Sequence, residues 1–319
     1  MTPRVAAHVT VFVSEAAAIM LVAGIPAAAR SVMAAGEGAV IAVPGGWRPS
    51  ALCRAEIARI APGVAWSACA TAELGVASPP PMDIEDLREW GRAIVRATGK
   101  PGDGIVSRYI NRPISQALTR LCLRWPGMRP GHATMAAAVI GIAMLAALLL
   151  GGSAGAVAGA VLFQIASIVD GVDGEVARAT HRSSARGAML DSVTDAFTNI
   201  GFIAGLSWNL YARGQTQAAM AGTVGFLILV AGKAILALVA RRQGGDFTFD
   251  SLKHHMRERP TRLKQALIWL TMRDFYALAA CLMVVAGAAA LLLHAFAIVA
   301  AGWFIVLCVT VTRQRWAAP

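Results

Sequence analysis

Hydrophobic positions are spread unevenly along the chain. Up to about residue 130 the apolar runs are short and broken by charge. Beyond it, stretches at about 132–151, 154–173, 191–211, 216–240, 275–293 and 295–312 are long and apolar enough to be expected as six transmembrane helices. Gly and Ala recur in them, which lets helices pack closely in lipid. In the first part, "HVTVFV", "GAVIAV" and "GVAWSA" read as strands alternating with Ala-rich helical segments, the order of a small α/β layer. "AAAIMLVAGIPAAA" follows Glu15, contains Pro26 and precedes Arg30; it is too short to span a bilayer and reads as part of this folded head, not as a secretory signal.

Between the two parts, "SPPPMD" at 78–83 reads as a turn and "IEDLREWGRAIVRAT" as a helix leading toward the apolar region. Over 105–125, Ile105, Tyr109, Ile114, Leu118, Leu121 and Trp125 fall near one helical face with arginines elsewhere. That pattern predicts an N-terminal juxtamembrane amphipathic helix lying on the membrane, or else a soluble helix packed on the head. The expected organisation is an α/β head at 1–98, a linker and interfacial helix at 99–130, and an α-helical membrane domain of six helices at 131–319.

Composition agrees with the hydropathy: 57% of residues are hydrophobic and 15% charged, against about 25% charged in soluble domains. The net charge of +11 arises from 29 Lys and Arg against 18 Asp and Glu. Its distribution sets an orientation. Arg108, Arg112, Arg120, Arg124 and Arg129 precede the first apolar stretch; Arg178, Arg182 and Arg186 follow the second; a basic segment, 241–265, follows the fourth; Arg313 and Arg315 follow the sixth. The alternate loops offer only Arg213. A multi-pass protein of the cell (cytoplasmic) membrane is expected, with the head and both termini facing the cytoplasm. No basic stretch is interleaved with stacking aromatics, so nucleic acid is not an expected partner. Cys53, Cys69, Cys122, Cys281 and Cys308 lack metal-ligand or disulfide spacing.

The chemistry concentrates where the second stretch ends and the third begins. Asp170 and Asp173 are three apart, and Asp191 and Asp195 four apart, so each pair shares a helical face. Antiparallel helices joined by a short basic loop bring the two faces together. Carboxylates at a membrane boundary are costly unless matched by positive charge. Four of them without His or Cys call for hard divalent cations, Mg²⁺ or Mn²⁺, and can hold two ions, the arrangement of a phosphoryl-transfer clamp. Gly174 and Ala177 leave the helix surface bare for a diphosphate, and Arg178, Arg182 and Arg186 can neutralise phosphate oxygens.

The run from Asp170 through Asp173, Gly174, Ala177, Arg178, Gly187 and Asp191 to Asp195 resembles the signature of the CDP-alcohol phosphotransferase family, D-x-x-D-G-x-x-A-R-x8-G-x3-D-x3-D, at every specified position. The resemblance covers about residues 100–315. It implies that Asp170, Asp173, Asp191 and Asp195 ligate two metal ions and that Asp195 is also the general base. By the same resemblance Asp170, Gly174, Ala177, Arg178 and Gly187 serve the CDP moiety. The implied reaction moves a substituted phosphate from a CDP-alcohol donor to a hydroxyl acceptor, releasing CMP, and the implied assembly is a homodimer. The family often carries Pro-Asn-x-x-Thr at the first span; here the stretch is Pro130-Gly131-His132-Ala133-Thr134.

Residues 100–115, "KPGDGIVSRYINRPIS", look like the junction in bifunctional inositol-phosphate cytidylyltransferase/di-myo-inositol-phosphate phosphate synthases, and "VAGIPAAARSVMAAGEGAVIAV" is similar to a sugar-nucleotidyltransferase stretch. The glycine-rich nucleotide loop of such a domain is missing, so the head is read as a degenerate nucleotidyltransferase with a structural or regulatory task. The donor is expected to be of CDP-inositol or CDP-diacylglycerol type. A phosphorylated acceptor would want cations; Arg182, Arg186, Lys233 and Arg273 are the candidates, Lys233 because it lies well inside the fourth stretch. Arg257 and Arg259 could add to them, whereas His254 and His255 read as solvated loop residues. Two other classes compete. A transporter should show inverted repeats, which are not evident; a noncatalytic membrane scaffold would leave the signature unexplained.

Overall fold

A computed structural model describes residues 8–74, 78–243 and 272–317. The basic segment expected between the fourth and fifth apolar stretches, with His254, His255, Arg257 and Arg259, lies outside the described residues. The chain forms two compact units: Met1–Pro101, Ile114–His132 and Val172–Ala185 in the first, and Gly102–Pro113, Ala133–Gly171 and Arg186–Pro319 in the second. Compactness thus cuts the chain differently from hydropathy, because later helical segments pack with the N-terminal layer.

The first unit is built on a parallel three-stranded sheet. β1 (Val9–Val11), β4 (Ala39–Val43) and β5 (Trp66–Ala70) lie side by side in that order, Val9 opposite Val40 and Ala39 opposite Trp66. Between β1 and β4 run α1 (Glu15–Ile19), a hairpin of β2 (Leu21–Val22) and β3 (Ile25–Pro26), and α2 (Ala27–Ala35); α3 (Ala51–Ile60) links β4 to β5. Parallel strands need such crossovers. The third expected strand begins three residues late, because Gly63 at φ +77 and the Val64 N–H to Ala61 carbonyl bond still close the turn after α3. Phe12, Ile25, Ile41, Cys53, Ile57 and Leu87 fill the core. Leu87 comes from α4 (Ile84–Ala97), whose N-terminus is fixed by reciprocal bonds between Asp83 and Asp86.

The helix expected over 105–125 begins with a π-helical turn, Ser107–Asn111, and continues as α5 (Arg112–Cys122). Its amphipathicity is inverted. Ser107, Asn111, Ser115 and Thr119, spaced by four, are buried, while Ile105, Tyr109, Ile114, Leu121 and Trp125 are exposed. An apolar face left outward is the face a lipid surface would cover.

The second unit is helical: α6 (Pro130–Leu150, from Ala133), α7 (Gly152–Thr180, to Gly171), α8 (Ala185–Ala212, from Arg186), α9 (Thr216–Gln243), α10 (Arg273–Val285) and α11 (Ala289–Ala317). Among the described residues four helices are long and apolar enough to cross a membrane: α6, α7, α9 over Thr216–Ile235 and α11 over Ala289–Val309. The chain therefore has the character of a multi-pass membrane protein. α8 has the length but carries Arg186, Asp191 and Asp195. α10 has 13 residues, about 20 Å of helix, short of the roughly 30 Å hydrocarbon core.

The last two apolar stretches were expected to part at residue 294; they part instead at Gly287, whose φ of +78 turns the chain while the Ala288 N–H reaches back to the Met283 carbonyl. His294 lies within α11, its Nδ1 2.7 Å from the Ala290 carbonyl oxygen. Small residues allow the close crossings. A Cβ on Gly159 would lie 2.5 Å from Leu148, and one on Gly141 2.7 Å from Thr198. Asn209 of α8 donates to the Leu148 and Gly152 carbonyls, both at 2.8 Å, satisfying backbone where α6 gives way to α7.

Candidate active site

α7 and α8 run antiparallel, and an aromatic stack sets their register. Phe163 and Phe202 lie face to face with ring centroids 4.3 Å apart. Phe163 stands seven residues before Asp170 and Phe202 seven after Asp195, so two helical turns carry each chain to its carboxylate. Asp170, Asp191 and Asp195 accordingly converge, each offering an oxygen within 4.8 Å of the others, all half-buried. Asp173 follows Asp170 by one turn on α7 and is buried. All-oxygen, anionic donors at this spacing suit a hard divalent cation.

Among the described residues, Arg273 carries positive charge to the cluster. Arg273, at the start of α10, has Nη1 3.0 Å from Asp170 Oδ1 and pairs with Asp195, while its Nη2 donates to Thr198 Oγ1 at 2.9 Å. A guanidinium bridging two carboxylates offsets the repulsion that would otherwise splay α7 from α8. Beside it, Asn111 Nδ2 donates to Asp274 Oδ1 at 3.0 Å, Ser167 Oγ donates to the same oxygen at 3.2 Å, and Gln164 Nε2 donates to Asn111 Oδ1 at 2.9 Å. This buried network ties the π-turn, α7 and α10 together.

The other predicted site residues divide. Gly174 is half-buried, and a Cβ there would lie 3.0 Å from Arg178 Nη1. Arg178 Nε donates to the Thr98 carbonyl at 2.9 Å. Ala177 and Gly187 are half-buried, on α7 and α8. Arg182, expected near the acceptor, instead pairs with Glu56 of α3 at 2.5 Å. Arg186 is exposed at the start of α8, and Lys233 is exposed along α9 without an ion pair among the described residues. Of the acceptor candidates, Arg273 alone is joined to the aspartates among the described residues.

The sequence places Glu175 among the carboxylates of this stretch without a role; it is fully buried and accepts from Ser115 Oγ and Thr119 Oγ1, each at 2.6 Å. Sequence reasoning missed the Asn111–Asp274 network. The four-residue spacing of Ser107, Asn111, Ser115 and Thr119 was the available signal for both, hidden by the more conspicuous apolar face.

The model of the family described as CDP-alcohol phosphatidyltransferase matches residues 128–313. The protein named bifunctional IPC transferase and DIPP synthase of Archaeoglobus fulgidus is 36% identical over 145 residues, covering 44% of this chain and 28% of that one. Its namesake in Thermococcus kodakarensis is 35% identical over 129 residues, 39% of this chain and 28% of the other. A third, from Rubrobacter xylanophilus, is 35% identical over 162 residues, 48% of this chain and 35% of the relative. The matches therefore span about a third or less of the length of these relatives.

Proposed function

Because the chain belongs to the CDP-alcohol phosphatidyltransferase family, we propose that it transfers a substituted phosphate from a CDP-alcohol to an acceptor hydroxyl and releases CMP. The observation that carries this reading is the approach of Asp170, Asp191 and Asp195 to within 4.8 Å of one another. Together with Asp173 they would hold two divalent cations, Mg²⁺ or Mn²⁺. When bound, these ions offset charge on the diphosphate and on the departing CMP oxygen. Gly174, Ala177, Arg178 and Gly187 line the CDP site with Asp170. Asp195 takes the proton of the acceptor hydroxyl; the hydroxyl oxygen bonds to the phosphorus bearing the donor alcohol, and the bond from that phosphorus to the CMP oxygen breaks. Arg182, Arg186, Arg273 and Lys233 serve a phosphorylated acceptor. Arg273 is the strongest of them, since its guanidinium already lies against the general base.

The relatives' names support an inositol-phosphate reaction, so a CDP-inositol-type donor is favoured over CDP-diacylglycerol. The chain crosses the membrane six times, the described α10 covering only part of its passage, and α5 lies on the bilayer surface. The head, a degenerate nucleotidyltransferase-like layer with a structural or regulatory task, and both termini face the cytoplasm, and the protein acts as a homodimer in the cell membrane. CMP release by the purified protein tests the reaction, with Mg²⁺ or Mn²⁺, CDP-inositol or CDP-diacylglycerol, and acceptors that include inositol phosphates. Release dependent on metal and acceptor, and lost in Asp195→Asn, is the expected result. No release and no CDP binding with any pair would overturn the proposal.

A further inference from the structure

We propose that the N-terminal α/β layer is a positioning device for the nucleotide site: it caps the C-terminus of α7 and thereby holds Asp173, Gly174 and Arg178 in register. The proposal deepens the phosphotransferase reading and rests on it for the identity of the nucleotide.

An α-helix leaves its last carbonyls without intrahelical donors, and they carry partial negative charge. α7 ends at Thr180, and His181, at φ +52, reverses the chain. The Arg182 and His181 N–H groups close on the Ala177 and Arg178 carbonyls, and the head supplies donors to the carbonyls that follow. Arg30 Nη2 donates to the Ala179 carbonyl at 2.6 Å; Arg59 Nη2 donates to the Thr180 carbonyl at 2.9 Å and its Nη1 to the His181 carbonyl at 3.1 Å. Arg30 also donates to Val22 at 2.5 Å and to Ala23 at 2.9 Å, so one guanidinium joins the β2–β3 hairpin to the helix end. Glu56 offsets the clustered positive charge, pairing with Arg59 at 2.6 Å and Arg182 at 2.5 Å.

Burial argues that this is a built contact. Arg30 is 2% exposed, and arginine is rarely buried so completely unless its donors are satisfied. The hairpin tip fits closely as well: Gly24 lies at φ +84, and a Cβ there would come within 2.8 Å of Leu123 and 3.1 Å of Thr180.

The remainder of the segment is gripped from other sides of the same unit. Thr98, at the end of α4, accepts from Arg178 Nε, and Ser115 and Thr119 donate to Glu175. Arg178 is thereby oriented with Nη1 and Nη2 beside Gly174. Asp173 stands seven residues, about two helical turns, before Thr180. A twist or fraying of the helix end therefore displaces a metal ligand and the diphosphate-facing arginine together. This task needs shape and donors but no nucleotide chemistry in the head.

The test compares the full chain in detergent with Arg59→Ala and Arg59→Lys, Arg59 being part-exposed and separable from the core. Two readouts are needed: amide hydrogen exchange over 176–182, and Mn²⁺-dependent binding of CDP by calorimetry. Arg59→Ala should speed exchange in that segment roughly five- to tenfold and weaken CDP binding several-fold, while exchange in β4 and β5 stays unchanged. Arg59→Lys should restore part of both. Glu56→Gln, which leaves the carbonyl contacts in place, should give a smaller change in the same direction. Unchanged exchange over 176–182 would overturn the cap, and faster exchange with unaltered CDP binding would overturn the positioning role. Wild-type protein that shows Arg59-dependent protection yet binds no CDP would count against the phosphotransferase reading and, with it, the role assigned to the cap, while leaving the contact itself demonstrated.

Discussion

The end of α7 in the first unit and the aspartate cluster in the second both place formal charges among apolar residues, but they resolve the cost in opposite ways. At the helix end, Arg30 and Arg59 meet backbone carbonyls and Glu56, so positive charge is matched by neighbouring oxygens. At the cluster, Asp170, Asp191 and Asp195 face one another, and Arg273 is the cation paired with two of them among the described residues. Charges matched within the fold hold elements in place. Like charges gathered together store repulsion that a cation can relieve, which is why the second arrangement reads as a binding site and the first as a joint.

The comparison is broken most severely at the cluster. Asp195→Asn removes the proposed base and one metal ligand, and CMP release should fall by about a thousandfold or more while the helical circular-dichroism signal is retained. Activity within tenfold of wild type would remove Asp195 from the chemistry. At the joint, Arg30→Met leaves three carbonyls without their donor, and thermal or denaturant unfolding should show a loss of about 3 kcal/mol. A stability near wild type would mean that water or a neighbour replaces the guanidinium.

Smaller perturbations sharpen the contrast. A divalent cation and Arg273 seek the same carboxylate oxygens, so Arg273→Gln should tighten Mn²⁺ binding about fivefold in calorimetry while lowering turnover. Weaker Mn²⁺ binding would show that the arginine organises the ligands more than it competes with the ion. The smallest effect concerns pH. Burial, then the charges of Arg30 and Arg59, hold His181 below its ordinary value of 6.5. As pH falls through that value the unfolded chain takes up the proton before the folded one, so stability is present above it and declines below it. His181→Asn, which tolerates positive φ, should flatten melting temperature between pH 7 and roughly pH 5.5. An unchanged slope would assign the acid sensitivity to other groups.

How much of this was legible in the sequence varied with the range of the interaction. The spacings of Asp170 with Asp173 and of Asp191 with Asp195 predict shared helical faces because the helical repeat is local. The strands of the head were legible in the same way, except where Gly63 delayed β5. The break at Gly287 was misjudged because residues on both sides are equally apolar, and hydropathy does not register a backbone turn. Arg182, a phosphate-ligand candidate from its place in the basic loop, pairs with Glu56, far earlier in the chain, which no local pattern announces. Arg273 was one cation among several until the fold brought α10 to Asp170 and Asp195.

By itself the sequence determined that the chain carries helices apolar enough for a membrane, which faces of α7 and α8 carry the acids, and which ion chemistry those acids suit. These follow from side-chain type and the helical period, both properties of neighbouring residues. Only the tertiary structure decided which cation meets the aspartates, which polar groups hold Asn111 and Glu175, and what caps α7. The last depends on carbonyl oxygens, which every residue possesses and no sequence pattern distinguishes; only packing brings Arg30 and Arg59 to three of them.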